Sequence, residues 1–169
     1  MMTVHTTLDS PLGELLLIGE ERPDGTVALS SLSVPGQKGG AGVPADSRAD
    51  ATVFAEPVRQ LGAYFAGELR DFDLPTAPRG SAFQERVWAA VDEIPYGTTT
   101  TYGEIARHVG ISRAGVRAVG TAIGANPLLL IRPCHRVIGA DGALRGYAGG
   151  LDRKEYLLDH EGALPARLG

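Results

Sequence analysis

The sequence predicts a mixed α/β chain with strands first and helices second, and three observations carry that reading. Between Thr3 and Val34, short apolar runs alternate with polar residues and are broken by Pro- and Gly-bearing turns, as half-buried strands require. After residue 80 the signals become helix starts: Ser81-Ala82-Phe83-Gln84 and Thr101-Tyr102-Gly103-Glu104 both have the capping-box form. Between them, Glu68 to Gly80 carries prolines at 75 and 78 and reads as a linker. The domain boundary is therefore placed near Arg79, with an N-terminal α/β domain over 1–79 and a mainly helical C-terminal domain over 80–169.

In the first half, Thr3 to Leu8 and Leu12 to Gly19 are predicted strands around a turn at Asp9-Ser10-Pro11. Val27 to Val34 alternates strictly enough to be a third strand, after a hairpin turn from Glu20 to Gly25. Pro35 to Asp50 is rich in Gly, Pro, Ala and Ser and is expected to be a mobile loop. Thr52 to Ala66 is a predicted helix burying Phe54, Val58, Leu61 and Phe65, with Gly67 ending it. Nothing in residues 1–79 forms a recognisable chemical constellation; His5 reads as an ordinary strand histidine.

In the second half, the helix opened by Ser81 is expected to bury Phe83, Val87, Trp88 and Val91 and to stop before Pro95. A short helix from Thr101 through Val109 closes at Gly110, and Ser112 caps a further helix from Arg113 to Ala125. Two short helices around a glycine turn suggest a helix-turn-helix. The second is made of small residues, Ala114, Gly115, Ala118, Gly120, Ala122 and Gly124, with Arg113 and Arg117 as its only charges. Such a surface can approach a helix or a nucleic-acid backbone closely. Leu128 to Ile131 reads as a short buried strand, and Gly139-Ala140-Asp141-Gly142 as a turn. Leu144 to Gly150 is a glycine-rich loop without the spacing of a phosphate or dinucleotide motif. Leu151 to His160 is the last helix, and Glu161 shares a face with Leu157.

Hydrophobic residues make up 43% of the chain and charged residues 21%, which suits a folded core rather than a disordered chain. No apolar run has membrane-spanning length, and Met1-Met2-Thr3-Val4-His5 lacks the features of a signal peptide, so a cytoplasmic location without membrane attachment is expected. Residues 1–79 carry six Lys/Arg against eleven Asp/Glu, while residues 80–169 carry ten against nine. A nucleic-acid contact in the second half would have to come from a few placed arginines, not a broad basic field.

Cys134 is the only cysteine, which rules out an intrachain disulfide. It follows Pro133 and precedes His135 and Arg136. A base and positive charge beside a thiol promote its ionisation, so Cys134 is a candidate nucleophile rather than a core residue.

Asn126-Pro127, Pro133-Cys134-His135-Arg136-Val137, Gly146-Tyr147 and the run from Lys154-Glu155 to His160-Glu161-Gly162 together resemble the O6-alkylguanine–DNA alkyltransferases, the methylated-DNA–protein-cysteine methyltransferases. The resemblance covers residues 81–169 closely and the first half in outline. It implies a ribonuclease-H-like α/β N-terminal domain and a helical C-terminal domain with a winged-helix-like helix-turn-helix. It implies that Cys134 accepts the alkyl group, that His135 takes the thiol proton through a water, and that Glu161 orients the imidazole. Asn126 would fix the turn presenting the cysteine, and Tyr102 would donate toward the departing base. Arg117 would replace a flipped nucleotide, on a DNA-binding helix that also offers Arg113, Ala114, Ala118 and Gly120. Tyr147, Ala148, Val137 and Arg136 would line the base pocket. The implied partner is double-stranded DNA containing alkylated guanine. A monomer is the default expectation, no cofactor motif is present, and the transfer calls for no metal, since no ligand cluster has zinc spacing. Alkylated O4 of thymine is a second candidate substrate.

Two positions depart from the pattern. Arg132 stands where the family usually has an aliphatic residue, and Ala148 where some members have a serine near the alkylated oxygen. Three other readings stay open at this point: a non-catalytic sensor of alkylated bases, a helix-turn-helix regulator, and a hydrolase using a Cys-His-Glu relay.

Overall fold

The computed structural model describes residues 2–40, 42–77 and 80–164. The chain forms two compact units: Met1–Arg79 with Pro127–Ile131, and Gly80–Asn126 with Arg132–Gly169. The boundary expected at Arg79 falls on a residue outside those described.

The first unit is a four-stranded sheet with one helix. Strands β1 (Thr3–Ser10), β2 (Gly13–Glu21) and β3 (Val27–Ser33) form an antiparallel meander. The order is β3-β2-β1-β4, where β4 (Arg48–Ala49) pairs parallel with β1. The first turn is tighter than expected: Asp9 and Ser10 continue β1, and the reversal falls on Pro11-Leu12. β4 lies inside the segment expected to be a mobile loop; Arg48 is tied there to Glu21 and Asp50. One face of the sheet supplies Val4, Leu15, Leu17, Leu29 and Leu32 to the core.

Thr52–Phe54 form a 3-10 turn that runs into α1 (Ala55–Phe65). The buried face of α1 is rotated from the expected one: Phe54, Pro57, Leu61 and Tyr64 are buried, while Val58 and Phe65 are only half-buried. Pro57 is tolerated because the first turn of a helix needs no N–H from it. Part of the expected linker is structured. Leu29 N–H donates to Pro75 O at 2.9 Å and Ala77 N–H to Leu29 O at 2.8 Å, so Thr76 lies as a parallel bridge along β3.

Leu128 to Ile131 does not form the strand expected of it. Only Leu128 makes a bridge, to Leu32, and the chain then turns through Leu130 at φ +73°. Ile131 N–H donates to Leu129 O at 2.8 Å, closing a three-residue turn around that strained leucine. Leu128, Leu129 and Leu130 are nonetheless buried, which is why the apolar run read as a strand.

The second unit is helical. Ser81 forms the expected capping box with Gln84 and opens α2 (Ala82–Asp92), which buries Val87, Trp88, Ala90 and Val91 but leaves Phe83 half-buried. β5 (Thr100–Thr101) leads directly into α3 (Tyr102–His108). Thr101 Oγ1 accepts from Glu104 N–H, but the Glu104 carboxylate pairs with Arg107, so only half the expected capping box forms. Gly110, at φ +78°, turns the chain. A 3-10 turn at Arg113–Gly115 then precedes α4 (Val116–Gly124). Ser112 makes no side-chain cap, and the expected single helix starts as a 3-10 turn, with Gly115 N–H donating to Ser112 O at 2.8 Å. Gly115 is required there, since a Cβ would sit 2.3 Å from Ile111 Cγ2. β6 (Val137–Ile138) pairs parallel with β5, and α5 (Leu151–His160) closes the unit. No helix among the described residues is long and apolar enough to cross a membrane.

Candidate active site

Cys134 is presented by a tight reversal. Pro133, at φ −80° and ψ 56°, is the centre of an inverse γ-turn in which Cys134 N–H donates to Arg132 O at 2.7 Å. Cys134–Arg136 then make one 3-10 turn, and Val137–Ile138 join β5. Asn126, buried just past the end of α4, holds this turn from outside. Its Nδ2 donates to Arg132 O at 3.2 Å and to Cys134 Sγ at 3.3 Å. The sulfur is almost fully buried, with Cys134 only 4% exposed.

His135 and Arg136 converge on Glu161, the residue ending α5. Arg136 Nε donates to Oε1 at 2.8 Å and Nη2 to Oε2 at 3.0 Å. His135 Nε2 lies 2.9 Å from Oε2. A carboxylate that accepts through both oxygens from a guanidinium is an anion, so Nε2 carries the proton and donates to it. That tautomer leaves Nδ1 as the basic nitrogen, and Nδ1 is buried without a hydrogen-bond partner among the described residues. Arg136 is further fixed by donation from Nη1 to Ile94 O at 2.6 Å and lies over Tyr96. It was expected on the wall of a base pocket; its guanidinium is instead committed to Glu161.

Burial dominates the electrostatics. It pushes the Cys134 thiol above its ordinary value, and the Asn126 hydrogen bond, Lys154 and Arg132 only partly offset this. The sequence suggested a thiol ionised by neighbouring charge; desolvation wins instead, so the resting group is the thiol. Burial also lowers His135, against the opposing pull of Glu161, so the imidazole rests neutral. The pair is a neutral acid and a neutral base.

Lys154, fully buried on α5, donates from Nζ to Val137 O at 2.6 Å, Arg145 O at 3.2 Å and Gly146 O at 3.3 Å. It thus ties β6 to the loop bearing Gly146, Tyr147 and Ala148. Val137 N–H bonds to Cys134 O, so both backbone groups of Val137 are already engaged. Tyr102 Oη donates to Gly146 O at 3.4 Å. Tyr147 is half-buried, edge-on to the His135 ring at 6.5 Å between centroids. Burial and the nearby sulfur raise both phenols, so each stays a proton donor.

Arg113, Ala114, Arg117 and Ala118 form an exposed strip along the start of α4. Gly120, expected with them, is half-buried beside the Tyr102 ring, 3.8 Å from where its Cβ would stand.

Residues 82–163 match the family described as 6-O-methylguanine DNA methyltransferase, DNA binding domain, and residues 3–78 match its ribonuclease-like domain. A methylated-DNA–protein-cysteine methyltransferase of Methanosarcina acetivorans is 48% identical over 159 residues, covering 94% of this chain and 98% of its own. The chain belongs to the 6-O-methylguanine DNA methyltransferase family. A member from Mycolicibacterium paratuberculosis is 50% identical over 160 residues, covering 93% and 91%. The crystal structure of the Mycobacterium tuberculosis family member OGT in complex with DNA superposes with a TM-score of 0.85 at 44% identity, covering 96% of this chain and 93% of that one.

Within this methyltransferase fold, Asn126 is bonded to Cys134 and Glu161 to His135, two pairs brought together by the adjacency of Cys134 and His135 in the chain, and Tyr102 reaches the loop of Tyr147. Sequence reasoning gave no role to Lys154 or to the partners of Arg132. The signal for Lys154 was present: it shares a helical face with Leu157, Leu158 and Glu161, all buried. Among the described residues no group of three His, Cys, Asp or Glu side chains is placed to hold a metal.

Lys154 makes pH-dependent stability testable. Burial lowers it from 10.5 to about 8. Between those values the unfolded chain binds a proton that the folded chain does not, so this group's contribution to stability rises with pH across that window. Urea unfolding followed by Trp88, the only tryptophan, should show the wild type gaining up to about 3 kcal/mol relative to Lys154→Met between pH 8 and 10.5. Parallel pH dependences would mean that the ammonium is not desolvated.

Proposed function

We propose that this chain repairs DNA by moving the alkyl group of O6-alkylguanine onto Cys134, irreversibly and once per molecule. The observation that carries the reading is the polarity of the relay. Glu161 holds the His135 proton on Nε2, which leaves Nδ1 as a buried, unpaired base on the residue next to the buried thiol. Acting through a water, Nδ1 takes the thiol proton as the sulfur attacks the alkyl carbon. The S–C bond forms, the C–O6 bond breaks, and the electron pair leaves with the guanine. Tyr102 donates toward the departing base, and the proton taken from the thiol finally resides on the guanine. Tyr147 and Ala148 wall the base. The thioether is a poor leaving group and no second cysteine exists to displace it, so turnover stops there.

DNA is the partner, and the arrangement of cations supports contact through α4. Among the described residues after 80, the guanidinium groups of Arg86, Arg107, Arg132, Arg136, Arg145 and Arg153 and the Lys154 ammonium are all bonded within the unit. Arg113 and Arg117 have no such bond and stand on the exposed small-residue strip. We assign Arg117 to the gap left by the extruded nucleotide, with Arg113, Ala114 and Ala118 against the groove. The second unit thus carries chemistry and DNA contact. We take the acting form to be a monomer, and a single cysteine suits the cytoplasm.

Mass spectrometry after mixing with O6-methylguanine duplex should show one methyl per chain, on Cys134. Cys134→Ala should gain none but still bind the duplex in anisotropy measurements at fixed salt. A chain that releases product and reacts again would be a hydrolase, and the proposal would fail.

The relay also fixes a pH profile. A neutral imidazole acting on a neutral thiol gives a flat rate from below 6.5, where His135 becomes protonated, to above 9, where the thiol ionises by itself. Transfer from free O6-benzylguanine should follow that plateau, whereas His135→Gln should rise steadily with pH. A rising profile in the wild type would remove His135 from the mechanism.

Arg117→Ala should slow repair of duplex DNA roughly tenfold or more while changing reaction with the free base less than about twofold, because the free base needs no extrusion. Equal losses on both substrates would show a structural role.

A further inference from the structure

Arg132 is a buried cation that the mechanism above does not use. Its guanidinium lies over the Trp88 ring, 4.8 Å from the centroid. Trp88 is itself fixed by donation from its indole N–H to Ala122 O at 2.8 Å. Arg132 Nε is 3.4 Å from Asp92 Oδ1, and Nη1 donates to Asn126 Oδ1 at 3.4 Å. Both contacts are long for hydrogen bonds, so neither alone is strong.

Their effect lies in what they exclude. A guanidinium has five donors and no acceptor. Whichever end of the Asn126 amide faces it must be the oxygen. The NH2 end then points to Arg132 O and Cys134 Sγ, as observed. With the amide turned by half a rotation, N–H would meet N–H at the guanidinium and the carbonyl oxygen would meet the sulfur. The second contact becomes repulsive as the sulfur gains charge.

We propose that Arg132 is a positioning residue for alkyl transfer: it locks the Asn126 amide with its NH2 toward Cys134 and so stabilises the sulfur as it ionises. The side chain crosses to α2 rather than lying alongside the thiol, because Pro133 turns the chain instead of extending it. The other groups that feel the sulfur are Lys154, Tyr102, Tyr147 and the adjacent His135, and all are kept in the variants below.

The inference rests on Cys134 as the acceptor, so its test reads the thiol itself rather than DNA repair. A 13Cβ-cysteine label gives a single NMR signal in this chain, whose pH titration reports the thiol directly. In Arg132→Met the midpoint should move up by about 0.5–1 pH, roughly three- to tenfold less thiolate at a given pH below it. Asn126→Ala should do the same, and the double variant should move clearly less than the sum of the two, since only the small direct pull of the Arg132 charge is left to lose. No movement in Arg132→Met would reduce the residue to packing. The same movement with and without Asn126 would mean that it acts by charge alone; either result overturns the proposal. Should Asn126→Ala fail to fold, the Asn126 side-chain 15N signal provides the same decision. In Arg132→Met that signal should stop following Cys134 ionisation, and a signal that still follows it would overturn the lock. A chain that passes these tests yet takes no methyl from DNA would sink the reaction assigned above and not this inference.

Discussion

The Glu161 carboxylate is the point on which the site depends. It is buried, and an isolated buried carboxylate would be very costly. Arg136 makes it tenable by bonding to both oxygens, and Arg136 is in turn anchored at the Ile94 carbonyl, near the end of α2. That pair draws together α5, the turn after Pro133, and the end of α2. Buried ion pairs seldom add much net stability against an apolar replacement of the same volume. This one sets direction. With both oxygens accepting from Arg136, the imidazole can face them only with an N–H, so the charge on Arg136 decides the basic nitrogen of His135 through Glu161.

The second constraint is desolvation, which acts oppositely on the two partners of the relay. It raises the thiol and lowers the imidazole. Both therefore rest uncharged in a site where charge is expensive. In the proposed relay, passing one proton between them creates an opposed pair that the surroundings already accommodate. Asn126 aims an N–H at the sulfur, Lys154 and Arg132 add positive potential, and Glu161 faces the imidazolium. The groups are fixed before the proton moves, so little reorganisation is left for the reaction.

The helices of the second unit were legible because their starts are written locally. Ser81-x-x-Gln84 specifies a cap by itself, and Gly110 marks a turn. Cys134 and His135 stood out by residue type and adjacency, whereas Glu161 was joined to them only through the family resemblance, since a carboxylate at a helix end looks the same in sequence whether it is solvated or buried. Leu128 to Ile131 was misread because burial and strand pairing leave the same apolar pattern, and only one of those residues makes a bridge. The buried face of α1 was misassigned by a fraction of a turn because Val58 and Tyr64 are both apolar enough to fit. Arg136 was misplaced for a different reason. Its partner is 25 residues away in sequence, and no local pattern says whether an arginine beside a cysteine will face a substrate or a carboxylate.

The same logic of committed cations explains how a chain of net charge −4 can belong to a DNA-binding family. Most of the arginines after residue 80 are bonded internally to carboxylates or carbonyls, and the buried ones, Arg132 and Arg136, order the reactive turn. Among the described residues after 80, the guanidinium groups without such a bond are on one short stretch, Arg113 to Arg117, flanked by alanine and glycine. A broad basic surface would hold any duplex tightly. In the proposed contact through α4, two cations would hold it weakly, which would leave more of the discrimination to whether a base can be extruded and fitted beside the thiol. On the proposed reading, the arginines bonded inside the unit contribute indirectly, because Arg136 fixes the carboxylate that sets the His135 proton.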